Sequence, residues 1–182
     1  MYRATRRVVC GNVNGRSTVL SDGVPAVAHA FKSLPGHGVD ILWATPPIPD
    51  EAGRIEAAPV GVRAIPEPGG TRFLVIHFPP ASVMFGADFD PVHAGYEQLS
   101  ILPGLAERFE AENPGMHRTD SVDYGIVIEG SVWLELDDGR EIELHAGDVV
   151  VQQATRHAWR NKSEAGVTLA CVLIGTENAP TR

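Results

Sequence analysis

The sequence predicts an all-β domain of the sandwich or barrel type. Short apolar segments follow one another at close intervals, and turn residues separate them, including 19 glycines and 14 prolines in 182 residues. Regularly spaced short strands with such turns are typical of sandwiches and barrels. One region, residues 91–112, departs from this pattern and has helical composition. The length fits one domain with a sizeable core.

The first half of the chain predicts a hairpin and three further strands. Arg6–Cys10 and Ser17–Leu20 pair across Asn12–Gly15, where the Asn-Gly step suits a tight turn. Proline clusters then end or separate the later segments. The further strands are predicted at Val39–Trp43, Gly61–Ile65 and Arg72–Phe78.

The second half begins with one or two short helices and continues as strands. Glu97–Ile101 and Leu105–Glu112 are the helical candidates, and Pro103-Gly104 interrupts them. From residue 117 onward, turn signals recur between short apolar runs. These runs predict strands at Asp123–Ile128, Ser131–Leu136, Glu141–Leu144, Asp148–Gln152, His157–Asn161 and Thr168–Ile174.

Charge and cysteine content exclude several classes of function. The formal net charge is −8, and no stretch clusters lysine and arginine, so neither nucleic acid nor an anionic membrane is an expected partner. Two cysteines are too few for a disulfide framework. No apolar stretch reaches membrane-spanning length and no signal peptide is evident, so we expect a cytoplasmic protein.

Three residues carry the predicted chemistry: His117, Asp123 and His157. Each lies beside an end of the predicted strands, and alternate residues of a strand share a face. His117, Thr119 and Asp123 therefore share parity, and so do His157 and Trp159. Two imidazoles and a carboxylate are a ligand set for a divalent transition metal with open coordination positions. The alternative is that His117 and Asp123 only form hydrogen bonds in a loop and that His157 is a structural histidine near a turn.

Other side chains are candidates for a substrate pocket. Trp159 and Trp133 offer aromatic faces for flat or cyclic ligands, although core packing is the alternative for both. Gln152 offers an amide toward a substrate or simply ends a strand. His77 is a candidate catalytic base if it reaches the pocket from another strand; otherwise it is a structural donor. We treat His29, His37, His93 and His145 as surface residues.

The two segments around the metal candidates resemble the paired motifs of the cupin superfamily. In the first motif, His117 takes the first histidine, Thr119 the place of the second, Asp123 that of the glutamate and Gly130 the closing glycine. In the second, His157 and Asn161 match, whereas Gln152 and Ala154 replace a proline and a glycine. The resemblance covers about residues 115–175. Cupins commonly use three histidines and a glutamate, so one imidazole is missing here.

The resemblance implies a fold, a cofactor and an assembly. The expected fold is a small single-domain jelly-roll barrel spanning residues 67–176, with residues 1–66 as an N-terminal extension packing on it and residues 177–182 as a frayed tail. The expected cofactor is one divalent transition metal (Fe, Zn, Ni or Mn) held by His117, Asp123 and His157. Thr119 then lies in the substrate-binding region. The expected assembly is a homodimer.

Three functions follow from this combination. The first is a metal-dependent, non-redox lyase or isomerase (a decarboxylase, dehydratase or cyclase) acting on a small carbonyl, aromatic or polyketide-like compound. The second is an Fe(II)-dependent dioxygenase. The third is a non-catalytic barrel that binds a small ligand. In each, the partner is a small molecule.

Overall fold

A computed structural model describes residues 2–48, 61–84, 86–87 and 89–177 of the chain. The described chain is mostly β, with two short α-helices, α1 (Ala81–Met84) and α2 (Pro91–Ile101), and 3₁₀ turns at Ala106–Arg108 and Asp137–Gly139. The strands are β1 (Arg7–Val13), β2 (Arg16–Gly23), β3 (Val27–Ala30), β4 (Gly38–Thr45), β5 (Thr71–Phe78), β6 (Ser121–Glu129), β7 (Ser131–Glu135), β8 (Glu141–His145), β9 (Val149–Gln153), β10 (Ala158–Arg160) and β11 (Val167–Gly175).

The strands form two sheets and a separate hairpin. A six-stranded sheet has the order β3-β4-β5-β11-β6-β9, and a three-stranded sheet has the order β10-β7-β8. The pairings between these strands are antiparallel. Strands β1 and β2 pair only with each other. The two sheets pack as a jelly-roll barrel, because each strand places alternate apolar residues on its buried side.

The core has two parts, and both help to define the site. Ile41, Leu74 and Leu169 of the large sheet pack in one cluster with Val132 and Leu134 of the small sheet. A second cluster joins β4 to the helical region; its buried members are Phe31, Leu34, Val39, Ala64, Ile65, Ala94, Leu102 and Leu105. The segment 91–109 therefore covers one end of the barrel.

Helix α2 begins directly after Asp90, whose side chain caps its N-terminus. The Asp90 side chain accepts hydrogen bonds from the backbone N–H groups of Val92 and His93, and Pro91 stands in the first turn, where it needs no N–H donor. The sequence prediction started this helix six residues later, at Glu97. The second predicted helix, Leu105–Glu112, is reduced to the 3₁₀ turn Ala106–Arg108.

The predicted strands are largely confirmed. The β1–β2 hairpin turns at Asn14-Gly15, whose φ angles of 52° and 77° are those of a tight turn with two left-handed residues. Two predictions were incomplete: β3 was not predicted, and the predicted strand Gly61–Ile65 is irregular. There the Ala64 N–H donates to the carbonyl of Pro103 instead of joining a sheet.

The segment 1–66, predicted as an extension, contributes strands β3 and β4 to the large sheet. Strand β4 pairs with β5 along its length, so part of that segment belongs to the barrel wall. Of the predicted tail, residues 178–182 lie outside the described residues. No helix in the described ranges is long and apolar enough to cross a membrane.

Candidate functional site

A cavity of about 140 Å³ lies inside the barrel. Its lining is mainly apolar and comes from the inner face of the large sheet and from the helical region that covers the barrel end. Polar side chains are concentrated in β6, β9 and the segments around residues 117 and 157. These polar residues are His117, Thr119, Asp123, Gln152 and His157. We call them the polar wall.

The two histidines of the polar wall are brought together by the backbone. His117 and His157 form an isolated antiparallel bridge, in which each N–H donates to the other residue's carbonyl at 2.9 Å. Their ring centroids lie 4.4 Å apart. Both side chains are buried, with 8% and 3% of their surface exposed. The sequence prediction that these residues meet is therefore supported by the geometry.

Backbone carbonyls determine the tautomer of both rings. Nδ1 of His117 lies 3.0 Å from the carbonyl of Gly115, and Nδ1 of His157 lies 3.0 Å from that of Thr155. A carbonyl can only accept, so Nδ1 carries the proton and Nε2 keeps its lone pair. Burial lowers the pKa of His117, and burial together with the neighbouring His117 lowers the pKa of His157 to about 4. Both rings are neutral at physiological pH.

The carboxyl of Asp123 is held by hydroxyl groups of its own segment. Ser121 Oγ donates to it at 2.5 Å and Thr119 Oγ1 at 3.3 Å. Burial raises the pKa of Asp123 above its ordinary value, and these two hydrogen bonds oppose that rise without cancelling it. Asp123 lies opposite Gln152 in the β6–β9 register. Thr119 thus supports the carboxyl rather than replacing the missing imidazole.

The predicted metal site is only partly assembled. Two neutral imidazoles with bare Nε2 atoms, each donating from Nδ1 to a backbone carbonyl, have the tautomer and orientation that metal-binding histidines need. Across the described ranges, however, no three or more His, Cys, Asp or Glu side chains come close enough together to hold a metal ion. Catalytic metals usually have three protein ligands. The set of His117, Asp123 and His157 therefore does not fit a metal in this structure, because Asp123 does not join the histidine pair.

Of the predicted pocket residues, Trp159 and Gln152 line the cavity. The Trp159 ring packs edge-on against His157, with centroids 5.9 Å apart. Trp133 does not line it. It alternates with the buried Val132 and Leu134 along β7, so its ring faces outward, 5.9 Å from the Lys162 ammonium.

His77 also lies away from the cavity. Leu74, Ile76 and Phe78 of β5 line the cavity, and the alternation of the strand places His77 on the opposite, outer face. There its Nδ1 lies 3.1 Å from Thr168 Oγ1, and its Nε2 lies 3.9 Å from a carboxylate oxygen of Asp40. This placement corrects the idea that His77 is a catalytic base, and it supports the structural alternative.

The sequence interpretation missed His37, which it treated as a surface residue. Its side chain is 9% exposed, stacks on Phe31 at 4.5 Å and lines the cavity. Its Nδ1 lies 2.8 Å from the carbonyl of His77, and burial lowers its pKa to about 4. The signal was weak because no partner residue lies near it in sequence. The position immediately before β4 was the available clue.

Two further residues that line the cavity, Arg160 and Cys171, are not available to react with a ligand. Arg160 is bound by the carboxylate of Glu135, by Asn113 Oδ1 and by the carbonyl of Pro114. Cys171 is 7% exposed, and burial together with nearby Asp123 raises the pKa of its thiol to about 12. The thiol is thus protonated and inert.

The fold and the cavity together define a jelly-roll barrel with an internal, mainly apolar pocket. Residues 108–173 match the family model described as the cupin domain, so this segment of the chain is similar to that family.

Curated relatives match parts of the chain. Oryzines biosynthesis cluster protein J from Aspergillus oryzae is 43% identical over 92 residues, which cover 47% of this chain and 51% of that protein. Phomopsin biosynthesis cluster protein C' from Diaporthe leptostromiformis is 45% identical over 69 residues, 36% of each chain. The cupin-domain-containing oxidoreductase fogC from Aspergillus ruber is 47% identical over 37% of this chain and 30% of its own. The matches thus span about a third to a half of these relatives.

Solved structures with similar folds are distant in sequence. A cupin family protein with a double-stranded β-helix fold from Methanocaldococcus jannaschii covers 58% of this chain and 70% of its own, with 14% identity and a TM-score of 0.38. A putative ethanolamine utilization protein from Salmonella typhimurium covers 97% of this chain and 100% of its own, with 9% identity and a TM-score of 0.43.

Proposed function

We propose that this protein is a small-molecule enzyme of a biosynthetic pathway. Its reaction is non-redox, of the lyase or isomerase type, and its substrate is a compact carbonyl, aromatic or polyketide-like compound. The observation that carries the proposal is the cavity itself, which is mostly apolar and has neutral imidazoles and a half-buried carboxyl on one wall. Enclosed apolar pockets with a few convergent polar groups are the usual form of small-molecule sites.

The polar wall contains two kinds of reactive group: a carboxyl that can exchange a proton and neutral imidazoles that can accept one. Asp123 has a pKa raised by burial, so its carboxyl is better placed than a surface aspartate to exchange a proton with a substrate near neutral pH. Ser121 and Thr119 orient that carboxyl. His117 and His157 stay neutral and offer Nε2 lone pairs. Non-redox steps that move a proton next to a carbonyl or hydroxyl need such groups.

The relatives support a biosynthetic role. Proteins matched over a quarter to a half of their length carry the names of phomopsin and oryzines biosynthesis clusters. The matched segment in each case is short compared with the whole relative, so the pathway of this protein is part of the proposal.

The metal dependence of the reaction needs a test that is independent of activity. Protein purified without added metal is assayed by elemental analysis, together with a His157→Ala variant. If the unmodified protein contains about one divalent transition metal ion per chain and the variant contains none, the result supports a metal-dependent enzyme whose metal is bound by the histidine pair. Metal-free, folded and active protein leaves Asp123 and the imidazoles as the reacting groups. An Asp123→Asn variant that keeps full turnover removes the role of the carboxyl.

A second candidate function is an Fe(II)-dependent dioxygenase. It is favoured by the names of the relatives fogC, virC and srdD, which are cupin-domain-containing oxidoreductases. Oxygen uptake by Fe(II)-loaded protein with a panel of catechols, diketones and thiols separates the two, because a lyase or isomerase consumes no oxygen. Binding without conversion of any compound favours the non-catalytic barrel instead.

A further inference from the structure

The polar wall offers more hydrogen-bond acceptors than the protein itself satisfies. The Nδ1 atoms of His117 and His157 donate to backbone carbonyls, which leaves each Nε2 as an acceptor. Within the described part of the chain, no donor lies within hydrogen-bond distance of either Nε2 atom. Both Nε2 atoms are open to the cavity, because the fully enclosed polar atoms without a partner in the described ranges are Arg7 Nε and His77 Nε2. A ligand that covers the two imidazoles therefore has to supply a donor, or it leaves these acceptors unpaired.

The wall also offers one free donor. The carbonyl oxygen of Gln152 accepts a hydrogen bond from Thr155 Oγ1 at 3.4 Å, which leaves the amide N–H groups without a partner among the described residues. Gln152 is 5% exposed. A hydroxyl group can use both kinds of partner at once, since it donates one hydrogen bond and accepts others.

Among the described residues that line the cavity, an anionic ligand meets one permanently charged cation, Arg160, and its charge is already paired with Glu135. Glu135, Asn113 and Pro114 take three of its five N–H groups. Asp123 on the same wall adds repulsion when it is ionised. A carboxylate brought into this cavity would lose its hydration without a compensating charge.

The size of the cavity limits the ligand further. Its volume is about 140 Å³, and an apolar protein cavity of about 150 Å³ is known to bind benzene. One six-membered ring with a small substituent therefore fills it. Phe109 and Trp159 supply aromatic faces around that volume.

We infer that the cavity recognises an uncharged, single-ring compound through a hydroxyl group, which donates to Nε2 of His117 or His157 and accepts from the Gln152 amide. This inference rests on the proposed function and specifies its substrate class. The hydroxyl selects the ligand because an isosteric methyl group would leave the buried imidazole acceptors unpaired.

Phenol and toluene test this directly, because they have the same shape and differ in one hydroxyl. Calorimetric titration of the full, EDTA-treated chain should give a Kd for phenol about tenfold or more below that for toluene. Benzoate should not bind at the concentrations that saturate with phenol, and 1-naphthol should bind more weakly than phenol. Equal affinity for toluene, or tighter binding of benzoate, overturns the inference.

Two variants locate the effect. His157→Leu should lower the phenol-to-toluene affinity ratio, because the hydroxyl loses one of its two possible acceptors. Phe109→Leu is the control: it should weaken both ligands and preserve the ratio. A ratio that falls equally in both variants contradicts the assignment. ¹⁵N NMR of the unmodified protein gives the same answer without mutation, since phenol should shift the Nε2 signals of His117 and His157 and leave Nδ1 protonated.

Failure of this inference is distinguishable from failure of the proposed function. Selective phenol binding with no conversion of any compound in the panel leaves the recognition intact and removes the enzymatic role. Conversion of a ring compound that has no hydroxyl group would instead support the enzymatic role and contradict the proposed recognition of a hydroxyl.

Discussion

Histidines and carboxyls lie on both sides of the six-stranded sheet, but their surroundings differ. On the inner side, His157 and Asp123 border a cavity. On the outer face, His77 lies beside Asp40, which is 0% exposed. The N-terminal segment fills this outer cluster: the Tyr2 hydroxyl and the Thr5 backbone N–H both donate to the Asp40 carboxylate.

The balance between burial and hydrogen-bond donors decides whether the pKa of each carboxyl rises or falls. Burial alone would raise the pKa of Asp40, but the nearby His77 ring and the hydrogen bonds from Thr5 and Tyr2 outweigh it, so the pKa is lowered. At Asp123 burial prevails over two hydroxyl donors and the pKa is raised. The outer cluster is thus closed by the chain itself, whereas the inner wall is left open to a ligand. Four predictions test this difference.

The largest expected effect is on stability at the two carboxyls. Asp40→Asn should lower the free energy of unfolding by about 2–4 kcal/mol, because donors to a buried charge lose their partner. Asp123→Asn should change it by less than about 1 kcal/mol, with an increase expected, because ionisation of Asp123 is disfavoured by folding. Urea denaturation at pH 7 measures both. Equal losses in the two variants would contradict the comparison.

The second prediction concerns acid and the inner histidines. The pKa of His157 is about 4 in the folded chain, below its ordinary value. A lowered histidine pKa stabilises the fold above about pH 6.5, and this stability is lost as pH falls toward 4. The loss from a shift of this size is on the order of 3 kcal/mol. His157→Gln should therefore lose less stability than the unmodified chain between pH 6.5 and 4.

Asp40 does not interfere in that interval. Its lowered pKa gives stability that is present above about pH 4 and is lost only below that value. Denaturation curves at several pH values check the prediction. Superimposable pH profiles for His157→Gln and the unmodified chain would show that His157 carries no such linkage.

A smaller effect is expected from adding one methyl group on either face. A Cβ at Gly38 would collide with the Tyr2 ring on the outer face, so Gly38→Ala should destabilise by about 1–2 kcal/mol. A Cβ at Gly125 would lie 3.9 Å from Val150, an ordinary contact, inside the cavity. Gly125→Ala should leave stability nearly unchanged and weaken phenol binding. Thermal unfolding and calorimetry separate the two outcomes, and a destabilised Gly125→Ala would be inconsistent with an open cavity.

The smallest effect on the site is expected from a substitution in the part of the outer face that the N-terminal segment does not cover. Apolar residues there are 46–69% exposed, and patches of this kind commonly form interfaces. They are Tyr124, Ile126, Ile128, Val149 and Val151. We expect a homodimer in solution and a monomer for Ile126→Lys, with phenol affinity unchanged because the patch faces away from the cavity. Sedimentation velocity measures the mass, and a monomeric unmodified chain would remove the prediction.

Local patterns predicted most of the strands because their signals are local. The Asn14-Gly15 turn and the alternation in β6 and β11 follow from preferences that adjacent residues express by themselves. Strand β3 was missed because its four residues are half-buried and show no clear alternation. The start of α2 was missed because Asp90 and Pro91 form a cap that composition alone does not reveal.

The site was predicted in part. His117 and His157 were expected to meet, and the bridge between their backbones brings them together. His77, Trp133 and His37 were misplaced because strand parity says which residues share a face and does not say which face is inside. Only packing against the second sheet decides that.

The sequence by itself determined the all-β class, the turns and the two segments that supply the polar wall, because turn chemistry and side-chain alternation act over a few residues. The tertiary structure decided which face encloses the cavity, which tautomer the histidines adopt and in which direction the pKa of each carboxyl moves. These depend on burial and on donors from distant segments, such as Tyr2 at Asp40, and no local pattern contains that information.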